Sequence, residues 1–156
     1  MKIKLNIHNV EILEAKPKDR ELYYQIKKET CEKYVNKFFG GWDEIEQRKY
    51  NNKIFDESLN QNCFKSIVVN EKIVGFFGYS IFEKEIGCVT LQIVRMKGRA
   101  QIFQDLLSKL VELSKELKLP IYAKSFLDNE DVKIYKKAGF KVMEKTNSHY
   151  LLKKDI

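Results

Sequence analysis

Residues 94–103 read Val-Arg-Met-Lys-Gly-Arg-Ala-Gln-Ile-Phe, where an apolar stretch gives way to Arg95, Lys97 and Arg99 around Gly98. Where a strand ends and a helix starts at once, free backbone N–H groups and the positive end of the helix dipole meet, and both favour an anion. Lys97 and Arg99 add positive charge at that place, so the segment suits a phosphate. Alone it is a weak signal, because many such junctions bind nothing. The other polar candidates each have a structural reading. Asn129 is a helix N-cap type. Tyr135, four residues before Gly139-Phe140, is by position a packed aromatic. Asp43, Glu44 and Glu46 are placed to cap a helix and complement its dipole. Trp42, the sole tryptophan, suits a core or staple position as well as a pocket wall, and His149 alone reads as a surface residue. Cys31, Cys63 and Cys88 are widely spaced and form no Cys-x-x-Cys pair, so neither structural zinc nor a disulfide framework is expected. With two histidines in the chain, a His-rich metal site is not expected either. Cys88 lies in an apolar stretch and is expected to be a small buried hydrophobe.

Periodicity and punctuation predict the elements that must hold these residues. A short strand over 10–15 leads to Pro17 and Asp19, which open a helix carrying Leu22, Ile26, Tyr34 and Val35. That helix stops at Gly40-Gly41, and Asp43 with Glu46 makes a capping box for a second helix that includes Tyr50 and Ile54. Strands over 64–69 and 73–82 flank the turn Asn70-Glu71 as a hairpin, and a further strand covers 86–94. Ile102, Leu106, Leu110, Leu113 and Leu117 step by four or three, which marks one buried face of a long helix. Pro120 ends that region and starts a strand over 121–127. A short helix over about 130–138 is closed by Gly139 as a left-handed cap, and strands over 140–145 and 149–153 finish the chain. The strand over 86–94, the long helix and the strand over 121–127 form a β-α-β unit with parallel strands and a right-handed crossover. The remaining strands pair as antiparallel hairpins. The fold class is therefore α/β, a mixed and mostly antiparallel sheet with helices on both faces.

A length of 156 residues fits one domain, 1–156, large enough to bury a core without staples. No apolar run is long enough to span a bilayer, and the first ten residues lack a hydrophobic signal core, so a cytoplasmic protein is expected. The formal charge of +7 would attract polyanions: nucleic acid, membrane headgroups or a phosphate-bearing cofactor. Yet the lysines alternate with Glu and Asp, and the longest basic runs are pairs such as Lys27-Lys28 and Lys136-Lys137. This pattern reads as a solvated surface, with neither nucleic acid nor membrane as a partner. Nucleic-acid binding ranks last, for want of an aromatic-basic stripe or a recognisable binding motif.

The run Asn129-Glu-Asp-Val-Lys-Ile-Tyr135-Lys-Lys-Ala-Gly139-Phe140 resembles the Asn-x-x-x-x-Leu-Tyr-x-x-x-Gly-Phe motif of the GNAT N-acetyltransferases, with Ile134 in the Leu place. The resemblance extends through Lys145-Thr-Asn-Ser-His149-Tyr150 and back to Tyr34-Val-x-x-Phe38-x-x-Gly41-Trp42-Asp43. The order of elements matches that family from residue 10 to residue 153, leaving 1–9 as a short N-terminal extension. It implies the acyl-CoA N-acyltransferase fold, in which the parallel pair over 86–94 and 121–127 is splayed and the cofactor lies in the gap. It also implies acetyl-CoA as cofactor, no metal, and transfer of an acetyl group to a primary amine of a small molecule or peptide. A homodimer is the default expectation. By the resemblance, the backbone around Ile93 and Val94 holds the pantetheine arm. Arg95, Lys97, Gly98, Arg99, Ala100, Gln101 and Ile102 form the pyrophosphate site, and Asn129 contacts the cofactor or a nearby backbone. Tyr135 falls at the tyrosine that protonates the leaving thiolate, while Phe39, Trp42, Asp43 and His149 fall at the acceptor pocket. A water relayed by Asp43 or Glu44 is the expected base.

The pyrophosphate loop departs from the family pattern, Gln/Arg-x-x-Gly-x-Gly/Ala. A gapless match anchored on Leu106-Leu107 puts Gly98, Gln101 and Phe103 at its three fixed positions, which removes both glycines and carries the bulk of Phe103 into the site. A shifted match, Arg95-Met-Lys-Gly98-Arg-Ala100, fits fully but needs a shorter loop before the helix. The gapless match keeps the buried helix face in register, and both stay open at the level of sequence. The substituted glycines also sustain a second reading, a non-catalytic acyl-CoA binder or sensor.

Overall fold

Asn70 and Glu71 both take left-handed backbone angles (φ 49° and 67°), which closes a tight hairpin between two long strands and sets the register of the sheet around it. The computed structural model describes residues 3–4 and 9–156, so most of the N-terminal extension lies outside the described residues. The strands are β1 (Ile3–Lys4), β2 (Val10–Glu14), β3 (Cys63–Val69), β4 (Lys72–Ile81), β5 (Ile86–Ile93), β6 (Ile121–Phe126), β7 (Lys141–Lys145) and β8 (His149–Lys154). The helices are α1 (Arg20–Phe39), entered through a 3-10 turn at Pro17–Asp19, α2 (Glu44–Ser58), α3 (Arg99–Leu117) and α4 (Asp131–Lys137). One sheet holds the strands in the order β1-β2-β3-β4-β5-β6-β8-β7. β1 adds an antiparallel edge strand inside the stretch expected to be an extension. Among the described residues only β5 and β6 run parallel, and their pairing is confined to Ile86 opposite Ile121. Beyond that rung the two strands diverge toward their C-terminal ends and leave a fork.

Residues alternate between the two faces of each strand, so neighbours such as Phe76 and Phe77 point to opposite sides. Phe77, Leu91 and Ile93 pack with Ile102, Phe103, Leu106, Leu107 and Leu110 of α3 on one face. These α3 side chains are at most 1% exposed, and burying each contributes about 1.5–3 kcal/mol. The buried face ends before the helix does: Leu117, expected to be buried, is 41% exposed, while Ser114 is buried and donates to the Leu119 carbonyl. On the other face Tyr23, Ile26, Phe55, Phe64 and Phe76 form an aromatic core under α1 and α2. Leu22 and Tyr50, assigned to the apolar faces of these helices from sequence, are exposed, since Tyr23 and Phe55 take the inward positions.

Two further corrections bear on the site. Cys88 is exposed rather than buried. It has φ 51° in a bulge where Gly78 opposes Thr90 but Ser80 opposes Gly87, so β5 carries one extra residue. Helix α1 ends at Gly40 in the left-handed conformation, and Asp43 accepts a hydrogen bond from the Glu46 N–H as the N-cap of α2.

Candidate active site

The fork opens beside the start of α3. β5 ends at Ile93, and Val94 N–H donates to the Val74 carbonyl of β4 at 2.9 Å. Strand alternation then turns the backbone groups of Leu91 and Ile93 toward the fork, where β6 is too far away to pair with them. Gly98 follows with φ 83°, and nothing lies within 4 Å of where its Cβ would stand. The helix begins at Arg99, and its first rung is Ile102 N–H to Gly98 C=O at 3.1 Å. The amides of Ala100 and Gln101 precede that rung and lie at the positive end of a helix of 19 residues. Gly98, Ala100 and Arg95 all line the groove. The turn therefore fits the Arg95–Gly98–Ala100 assignment. Phe103 lies a turn inside the helix and 1% exposed, with its ring edge-on to Tyr135 at 5.5 Å, so it carries no bulk into the loop.

A groove of about 1640 Å³ runs through the fork from this turn to the α1 side of the sheet. Tyr135 lines it from the α3 side. Its ring is 4% exposed between Phe103 and Phe140. Burial, and then the nearby Asp131 carboxylate, push its phenol far above the usual tyrosine range, so it stays protonated at any working pH. Asn129 also lines the groove, and its side-chain oxygen accepts the Asp131 N–H at 2.9 Å, which starts α4. Arg99 reaches across to that helix. Its guanidinium holds both Asp131 oxygens at 2.7 and 2.8 Å, and its Nε–H donates to the Ile93 carbonyl at 2.9 Å. The charge of Arg99, expected to meet a phosphate, is thus neutralised inside the protein, and Arg95 is the cation beside the turn that still lines the groove.

Several expected site residues lie elsewhere. Val94 gives its N–H to β4 and packs in the aromatic core. Ile102 is 1% exposed in the core, and Lys97 is exposed and does not line the groove. Phe39 is 60% exposed. Trp42 turns away from the fork, because its indole N–H bonds the Tyr24 hydroxyl at 3.1 Å. Asp43 is occupied as a cap, and Glu44 pairs with Lys28 and Arg48, so neither faces the groove. Of the four acceptor-pocket residues read from sequence, His149 alone lines it.

Sequence reasoning passed over the rest of the acceptor side. Tyr23, Lys27, Thr30 and Tyr34 recur along α1 at i, i+4, i+7 and i+11 and all line the groove. Thr30 donates to the Gln92 side-chain oxygen at 2.9 Å, which fixes α1 over β5. Farther along, Tyr34 stacks on Phe126 of β6 at 5.0 Å and Phe126 meets the His149 ring at 4.2 Å. Helix α1 therefore bridges the fork. Burial, followed by Lys124 and Lys27, lowers the His149 pKa below its ordinary value, so the ring is neutral at neutral pH.

An eight-stranded mixed sheet, forked at its one parallel pair and carrying a helix N-terminus in the fork, is decisive. The fold is that of the GNAT acetyltransferases. PaiA N-acetyltransferase from Thermoplasma acidophilum, in complex with coenzyme A, superposes with a TM-score of 0.72 at 17% identity over 94% of this chain and 99% of its own. Naa50 from Arabidopsis thaliana, in complex with a bisubstrate analogue of CoA and a peptide, gives 0.65 at 18% identity over 95% and 99%. Ard1 from Thermoplasma volcanium gives 0.63 at 20% identity over 94% and 97%. No protein-family model matches the sequence. Nor does any curated protein. The GNAT likeness is one of fold. No helix among the described residues is long and apolar enough to cross a membrane.

Proposed function

We propose that the protein transfers an acetyl group from acetyl-CoA to an amine. One observation carries this reading: the groove passes through the sheet, with a protonated Tyr135 on one side and a neutral His149 on the other. The residues present suit a coenzyme A. The open space at Gly98 and the first-turn amides of Ala100 and Gln101 form a cradle for phosphate, and Arg95 adds charge beside it. When bound, the cofactor would supply a thioester whose C–S bond breaks as the amine nitrogen bonds to the acetyl carbon. The N–H groups of Leu91 and Ile93 face the fork and can donate to oxygen where negative charge develops. Tyr135 can give its phenolic proton to the leaving thiolate and regain one from solvent, which closes the proton balance with the one taken up by His149. His149 can accept a proton from the acceptor's ammonium, freeing the neutral amine to attack, the task that Asp43 and Glu44 cannot perform from where they lie. Arg99 and Asp131 hold the start of α3 against α4, which fixes the turn and Tyr135 relative to each other.

Isothermal titration with acetyl-CoA, run beside a thiol-release assay on a panel of amines, tests the reading. Transfer requires both binding and amine-dependent thiol release. Binding with no release for any amine would replace the enzyme with an acyl-CoA binder. No binding at millimolar acetyl-CoA would remove both.

A further inference from the structure

The α1 side of the groove is cationic. Lys27 lines it half-buried and, among the described residues, no carboxylate pairs with its ammonium. The groups in electrostatic range of that ammonium are the Cys31 thiol and the Tyr23 and Tyr50 phenols, none of them a carboxylate. Lys124 of β6 faces the same space across the fork, and His149 between them feels both lysines. None of the acids on the groove wall forms an ion pair with Lys27: Asp131 is held by Arg99, Glu130 lies in the field of the same guanidinium, Glu57 lies 4.0 Å from Lys53, Glu85 lies beside Gly87 near the paired end of the fork, and Glu29, two residues along α1, is exposed. A half-buried cation without an anion is unfavourable unless a ligand completes it.

We propose that Lys27 is the carboxylate-binding residue of the acceptor subsite, and that the acceptor is a small amine bearing its own carboxylate. This rests on the acetyl-transfer reading for its use but not for its test. A simple ammonium or polyamine would meet repulsion from Lys27 and Lys124, whereas a zwitterion brings the missing anion. Two cations near the acceptor nitrogen also favour its neutral form, the one that can attack a thioester. Tyr23, Tyr34 and Tyr50 provide apolar wall for a side chain.

The probes are amines matched with and without the carboxylate: phenylalanine against 2-phenylethylamine, and ornithine against putrescine. Binding to the protein saturated with coenzyme A is measured by titration calorimetry, which needs no turnover. The carboxylate-bearing member of each pair should bind about tenfold more tightly or better, the worth of one charge-assisted hydrogen bond. Lys27→Met should remove that preference, Lys27→Arg should keep much of it, and coenzyme A affinity should not follow either change. Equal binding of the paired amines by the wild type would overturn the inference, as would a preference that survives Lys27→Met. A Lys27→Met variant that loses coenzyme A instead would place the lysine in the cofactor site and overturn it too. If the preference holds while no amine is acetylated, the subsite stands and acetyl transfer falls.

Discussion

Tyr135 and His149 face one groove with opposite protonation, and each can be tested singly. Tyr135→Phe keeps the ring that packs on Phe103 and Phe140 and removes only the hydroxyl. Turnover should fall roughly ten- to thousandfold, with the Michaelis constants little changed, because the proton is needed mainly in the transition state. Full turnover in the variant, with chemistry rate-limiting, would return Tyr135 to a packing role. The His149 ring should titrate below 6.5 by NMR, since burial and two lysines oppose its charge. Its folded pKa lies below its unfolded one. The stability it contributes is therefore complete above about pH 6.5 and is lost as the pH falls from there through the folded pKa. A ring that titrates at or above 6.5 would contradict that environment. Tyr135 could be singled out in the sequence because a run of chemically distinct residues, Asn129 to Phe140, frames it, and the structure places it on the groove wall. Lys27 was not, because one lysine among many on a helix carries no mark until the opposite strand is in place. Trp42 misled for a related reason: its neighbours in sequence border the fork, but the Tyr24 hydroxyl draws its indole away.

The bidentate Arg99–Asp131 pair joins the first turns of α3 and α4, and its side chains are only 26% and 11% exposed. Asp131→Ala should lower the unfolding free energy by about 2 kcal/mol, less than for a fully buried pair because water reaches the guanidinium. Chemical denaturation measures this, and restoration of much of the loss by the double change Arg99→Leu with Asp131→Leu would show that the stranded charge is the cause. No loss on Asp131→Ala would mean that the two helices are held by packing alone. Element identities were readable wherever periodicity was strong, as along α3 and in the hairpin around Asn70-Glu71. The Cys88 bulge was not, because an extra residue in a strand leaves no compositional trace. The loop before α3 stayed ambiguous for a physical reason too. A helix face reads the same whether its first turn starts at Arg99 or a turn later, and only the left-handed Gly98 fixes the start.

Across the whole molecule, acetyl-CoA should raise the melting temperature by binding the folded state alone. A hundredfold excess over the dissociation constant is worth about 2.7 kcal/mol, or roughly 5–10 °C for a domain of this size. A thermal scan with and without millimolar cofactor measures it, and no shift would count against the site at Gly98. The sheet order follows the chain from β1 to β6, with only the last hairpin reversed, so the fork divides the protein almost at one point along its sequence. β2 to β5 lie on one side and β6 to β8 on the other, joined within the sheet by the single rung at Ile86 and Ile121. We expect such a seam to divide one domain into two foldons. Amide hydrogen exchange in the free protein should show β6 and β8 opening more readily than β3 and β4, with the difference narrowing once acetyl-CoA bridges the seam. Uniform protection in both states would mean that the sheet opens as a single cooperative block. If the seam behaves as described, what fills the fork is a structural keystone as well as a ligand, and the protein gains part of its cooperativity only while the fork is filled.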